Sequence, residues 1–229
     1  MSELSPEGCG GMKQEFPVNQ YGMQKLLAEK EALLAYARKP KDLLIGRLSW
    51  LFGNSSNSFV EKLIRSIACT YAAAVKNGQS GNIVHKVAQD AYGRPTPVWL
   101  VFDCILDAIG CTYNCSWHGV HDFQYSSCPQ ISRLEWAQMI WDAFCFYIRN
   151  ASCTNEDTSD YMHDMLSRIV LEGVDSSVLN LGMKHPGRIE EATASCALDK
   201  YIDATKMYVE SKVGDLSKMA YDVLKKELP

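Results

Sequence analysis

Phe59, Val60, Leu63, Ile64, Ile67, Ala68, Tyr71, Ala72 and Val75 recur every three or four residues. That is the period of one helix face, roughly 3.6 residues per turn, and it commits the stretch to an amphipathic helix packed on a core. Most of the chain reads the same way. Met23, Leu26, Leu27, Leu33 and Leu34 mark a helix from Asn19 that ends near Pro40. Short helices are expected at Asp42–Phe52 and Asn82–Tyr92, flanking a capped loop at 53–58 and a turn bracketed by Gly78 and Gly81. Val98–Ile109 is apolar nearly all round, which predicts a buried central helix. Leu134, Ala137, Trp141, Phe144 and Ile148 give one face of a long helix, and Met162, Met165, Leu166 and Ile169 another over Asp157–Leu171. Gly173–Gly187 is loop-like. Arg188–Val213 is helical, Gly214 breaks it, and a short amphipathic helix closes the chain. No segment alternates between apolar and polar with hairpin turns. The expected class is therefore all-α: a flexible N-terminal arm at 1–17, a compact helical core at 18–187, and C-terminal helices or an arm at 188–229.

An apolar content of 47% is ample for a core. No apolar run reaches the roughly 18 residues of a membrane span, so no membrane partner is expected. The opening MSELSPEGCGGMKQEF resembles neither a signal nor a transit peptide, which points to the cytosol. Nine cysteines there should be reduced, mostly buried thiols. Charge is uneven: residues 1–95 hold 12 Lys/Arg against 8 Asp/Glu, and residues 96–187 hold 4 against 11. A basic half beside an acidic middle suits self-association, and the net charge of −4 argues against a sequence-specific DNA binder.

The loop CTYNCSWHGVHDFQYSSC invites a metal. Cys111, Cys115, His118 and His121 form C-x3-C-x2-H-x2-H, with Cys104, Asp122 and Cys128 close by. Zinc takes four N/S ligands in a tetrahedron, usually from two separated loops, whereas these four crowd into one. His121-Asp122, with His85 upstream, also resembles the dipeptide of metal-dependent phosphohydrolases, although here it sits in a loop. No Gly-rich phosphate loop, G-x-S-x-G elbow or H-E-x-x-H is present. The acidic run Glu156, Asp157, Asp160 and Asp164 could coordinate a cation, but Asp157 and Asp160 better fit the cap of a charged helix N-terminus. Arg133 opens the helix after the loop, where a guanidinium can reach a phosphate together with helix N-terminal N–H groups; pairing with Glu135 is the alternative.

From Val98 onward the order of elements resembles the coat proteins of flexible filamentous plant viruses, the potyvirus and potexvirus kinds. VWLVFDCILDAIGCTYNCSW is similar to that family's apolar helix and turn, SRLEWAQMIWDAFCFYIRN to the next helix, and Pro186, Arg188, Glu191 and Ala192 to its P-x-R-x-x-E-A segment. The resemblance covers roughly residues 59–205. It implies an all-α capsid subunit, not an enzyme and without cofactor, which assembles as a helical homo-oligomer on single-stranded RNA in the virion and host cytoplasm. Its RNA groove would use Arg133, Thr112 or Ser116, and Arg188. Asp164 or Glu172 would stand in for a Phe-Asp motif, since Ser167-Arg168-Ile169-Val170 occupies that place. The alternative is a cellular all-α binding module with zinc in the Cys111–Cys128 loop.

Overall fold

The computed structural model describes residues 20–38, 43–47, 50–53, 58–99, 101–102, 105–106, 120–124, 131–150, 159–179 and 198–228. Three helices make its core. The periodic stretch forms α2, Phe59–Lys76, after α1, Gln20–Arg38. Val60, Leu63, Ile64, Ile67, Ala68, Tyr71 and Ala72 of α2 are all buried, as the spacing predicts. The second core helix is α3, Arg133–Asn150, with Trp136, Ala137, Ile140, Trp141 and Phe144 inward. It starts at a reciprocal cap. Ser132 N–H donates to Glu135 Oε2 at 2.6 Å and Glu135 N–H donates to Ser132 Oγ at 3.1 Å, so two end donors are satisfied. After the shorter α4, Ser159–Arg168, the third core helix is α5, Leu198–Glu227. Its Tyr208, Val209, Leu216, Ala220 and Leu224 join the same apolar cluster as α2 and α3. Burying each such large side chain contributes about 1.5–3 kcal/mol, so this three-way contact dominates the stability of the described chain.

The all-α expectation is wrong. Among the described residues eight strands pair in four two-stranded ladders. β1 (Leu43–Arg47) runs parallel to β6 (Val120–Gln124), and β2 (Leu51–Phe52) parallel to β5 (Thr96–Pro97). β3 (Ile83–Ala88) runs parallel to β8 (Ile169–Val174), with Ile83 opposite Ile169 and Ala88 opposite Val174. β4 (Tyr92–Gly93) and β7 (Ile131–Ser132) pair antiparallel. Parallel partners need long crossovers, and the β3-to-β8 crossover carries α3 and α4. The architecture is α/β.

Four local expectations change with it. The helix expected at Asp42–Phe52 is β1 and β2, and the one at Asn82–Tyr92 is β3 and β4. The segment from Val98 is helical at its described residues yet half bare: Val98, Trp99, Phe102 and Leu106 are exposed and only Val101 is buried. Gly214 lies inside the continuous α5, where a Cβ would meet open space. The Gly78–Gly81 turn stands as expected, both glycines holding positive φ (70° and 87°). The arm at 1–17 lies outside the described residues. No helix among the described residues is long and apolar enough to cross a membrane.

Candidate functional site

Trp50 is the one non-glycine residue with positive φ among the described residues, at 39°. A bulky side chain in that region costs about 1–3 kcal/mol and is held there only by its surroundings. Those surroundings are specific. Thr96 N–H donates to Trp50 O at 3.1 Å, which fixes the backbone. Gly93 provides the room: a Cβ there would lie 2.2 Å from the Trp50 indole. Gly93 itself is pinned by the β4–β7 pairing opposite Ile131. The Gly-Arg-Pro-Thr-Pro segment thus serves as the mould for one tryptophan.

Around Trp50 the rings gather. Its indole stacks on Trp136 at 5.7 Å between centroids, Phe59 stacks on Trp136 at 4.8 Å, and Phe52 lies 5.5 Å from Trp136. The Arg133 guanidinium sits 3.7 Å from the Trp50 ring centroid and 4.4 Å from that of Phe59. Trp136 and Phe52 are buried, whereas Trp50, Phe59 and Arg133 are half-buried, so the indole and the cation are the members of this cluster that could meet a planar, electron-rich ligand. Trp136 Nε1–H is buried there without a hydrogen-bond partner among the described residues, a loss of about 1–3 kcal/mol unless something accepts it.

Arg133 occupies the place expected of it, at the start of a helix, but the surrounding donors are spent. Its own N–H donates to Ala91 O at 2.8 Å, and the cap uses those of Ser132 and Glu135. Three donors at this helix end are thus used within the fold, and the guanidinium lies over ring faces. Glu135 serves the cap.

A second chemical pair stands on α1. Tyr21 and Lys25 are four residues apart on one helix face, and Lys25 Nζ lies 5.3 Å over the Tyr21 ring. Tyr21 is 62% exposed and no α1 residue is buried, so the pair is open to a substrate. A phenol can donate its O–H to an acceptor. Spacing alone, Tyr-x-x-x-Lys on a helix, marks these two, although α1 otherwise reads as an ordinary amphipathic helix.

Asp164, expected in a groove, is tied into the fold. It accepts from Tyr71 Oη at 2.6 Å and pairs with Arg168 Nη1 at 2.8 Å. The Tyr71 bond first, then Arg168, holds its carboxyl below the usual range, while burial and Asp164 hold the Tyr71 phenol well above its own. Glu172 lies on β8 opposite Lys86. His85 is a buried core histidine, its Nδ1 2.8 Å from Thr70 Oγ1, and burial lowers its pKa. His121 falls on β6 opposite Leu44. Thr112, Ser116, Arg188, Cys111, Cys115 and His118 lie outside the described residues. Among the described residues no three His, Cys, Asp or Glu side chains gather as a metal site.

Comparison with known proteins decides among these readings. The model of the RmlD substrate-binding domain matches residues 12–163, about two thirds of the chain, and that span contains Tyr21, Lys25, Trp50, Gly93 and Arg133. dTDP-4-dehydrorhamnose reductase of Escherichia coli is 33% identical over 100 residues, which are 44% of this chain and 28% of that protein. The solved dTDP-4-dehydrorhamnose reductase of Clostridium acetobutylicum aligns with 87% of this chain and 58% of its own, at TM-score 0.54 and 16% identity. A dTDP-glucose 4,6-dehydratase of Bacillus anthracis, solved with NAD, aligns at TM-score 0.46 and 14% identity over 94% of this chain and 60% of that one. This chain thus spans less than two thirds of these relatives. The fold is the Rossmann-like α/β class of the Clostridium reductase. These matches overturn the plant-virus coat resemblance and, with it, the capsid role, the RNA and filament partners, the virion location and the non-enzyme assignment. The zinc-module alternative falls with it. Short motifs in matching order misled, because apolar helices that end in a turn occur in many folds. The chain belongs to the family of the RmlD substrate-binding domain.

Proposed function

We propose that this chain forms the sugar-nucleotide site of a carbonyl reductase of the dTDP-4-dehydrorhamnose reductase kind. The carrying observation is that one matched span holds both the Trp50–Arg133 platform and the Tyr21–Lys25 pair. A dTDP-sugar offers a planar pyrimidine, a diphosphate and a keto-sugar. The pyrimidine stacks on the Trp50 face, which fixes one end of the substrate. The Arg133 charge attracts the diphosphate.

Reducing a ketone to an alcohol requires a hydride at carbon and a proton at oxygen. Tyr21 supplies the proton: its O–H donates to the carbonyl oxygen as negative charge develops there, and the Lys25 ammonium stabilises the phenolate that remains. Named reductases need a hydride donor, for which a dinucleotide is the natural class. Among the described residues no glycine-rich turn joins a strand to a helix N-terminus as a dinucleotide pyrophosphate requires, so these residues do not fit that group and no step passes through it.

Calorimetric titration with a dTDP-sugar tests the reading. The chain should bind it, and Trp50→Ala should weaken binding about tenfold or more, since one stacked base is worth roughly 1–3 kcal/mol. Absence of heat with any dTDP-sugar would sink the proposal.

A further inference from the structure

We propose that Tyr208 of α5 is a positioning residue for the Trp50 face: its buried phenol ties together the two segments whose rings seat Arg133. The role rests on the reading of that face as the surface that receives the base. Trp50 leads into β2 and Gly53, and Phe59 opens the first turn of α2. Arg133 lies over both rings, 3.7 Å from the Trp50 centroid and 4.4 Å from that of Phe59, so the spacing of the two segments sets the seat of the guanidinium. Both segments are tied to Tyr208. Its O–H donates to Gly53 O and to Glu61 Oε1, each at 2.6 Å. Gly53 follows Trp50 and β2, and Glu61 stands in the same helical turn as Phe59. Ser58 Oγ–H donates to the other oxygen of Glu61, which holds the carboxylate at the start of the helix.

Trp50 keeps its φ of 39° only while its surroundings hold the backbone. Thr96 N–H fixes one point, Trp50 O. Tyr208 fixes the next, because Gly53 O accepts from its phenol and Phe52 meets its ring edge-on at 5.6 Å. Trp99 stacks on the same ring at 6.1 Å. Gly53 has little room to shift: a Cβ there would lie 3.0 Å from Val98 Cγ2. Tyr208 lies beyond the matched residues 12–163, so the C-terminal helix contributes to a face that the matched span carries.

Tyr208→Phe removes the hydroxyl and keeps the ring. Calorimetry with a dTDP-sugar should show affinity about three- to tenfold lower, the net worth of one hydrogen bond. In a Trp50→Ala background the same substitution should leave affinity unchanged, because the two residues act through one face. The urea midpoint should fall in both backgrounds, and a merely structural role would show that fall alone. Tyr147→Phe is the control: this hydroxyl donates to Glu210 and links α3 to α5 instead, so affinity should hold. If Tyr208→Phe does not fold, Gly53→Ala disturbs the same bond from its acceptor side by pressing on Val98, and the same two affinities are read. Wild type without heat sinks the base-binding reading and this role together. Wild-type binding that survives Tyr208→Phe unchanged, or that falls by the same factor with and without Trp50, overturns this role alone.

Discussion

Among the described residues two arginines lie against aromatic rings, and their surroundings differ. Arg168 spends its donors on polar acceptors: Asp164 at 2.8 Å, Gly81 O at 2.8 Å and Gln79 O at 2.5 Å. With Tyr71 it buckles α4 to the turn after α2. Arg133 rests on the faces of Trp50 and Phe59 instead. A guanidinium clasped by carbonyls is structural cement. One laid on ring faces is oriented by them. Identical side chains beside aromatic groups thus differ by what surrounds them, and the proposed function assigns Arg168 to the fold and Arg133 to the site.

Substitutions sharpen the contrast. Trp136→Ala should have the largest effect, about 3–5 kcal/mol in urea unfolding, because it empties the centre of the ring cluster and the α3 face together. Arg168→Ala comes next, at about 1.5–3 kcal/mol, since it strands two carbonyls and a carboxylate; dTDP-sugar affinity should not move. If Arg168→Ala lost binding while folded, the division between the two arginines would be wrong. Gly93→Ala inverts the pattern. Its Cβ would strike the Trp50 indole, so calorimetry should show binding weakened about tenfold, with about 1–3 kcal/mol of stability lost to the overpacking. Arg133→Leu should cost about 0.5–1 kcal/mol in stability, the worth of a half-exposed cation–π contact, and lower affinity more than stability.

The smallest effect is a pH dependence. Burial lowers the folded-state pKa of His85 below its ordinary value near 6.5, so below that pH the unfolded chain takes up a proton that the folded chain refuses. Stability contributed by neutral His85 is full above about pH 6.5 and declines as pH falls towards its depressed folded value. Asp164 acts lower down: its carboxyl is depressed too, so its contribution is present above about pH 4 and lost on further acidification. Urea midpoints at pH 7.5 and 5.5 should differ for the wild type and converge for His85→Gln. Equal midpoints for the wild type would refute the His85 part.

Amphipathic helices were legible in the sequence because their period is local. α2 and α3 follow from spacing alone, and so do the glycines of the turn at 78–81. Strands were missed because their evidence lies far away. Ile83, His85 and Val87 do alternate inward with Val84 and Lys86 outward, yet their partner β8 is a crossover distant and leaves no hairpin signal. β2, β4 and β5 are two residues each, too short for any period. In the site, Arg133 was visible as a charge at a helix start. Trp50 was not, since its importance arises from a strained backbone angle and a glycine 43 positions on.

The central claim is that the Trp50 face receives the base of a dTDP-sugar. Saturation-transfer NMR on the chain with a dTDP-sugar tests it most directly. The account predicts strongest saturation on the thymine protons, lost in Trp50→Ala while the variant stays folded. Even saturation along the ligand, or an unchanged pattern in Trp50→Ala, would contradict it.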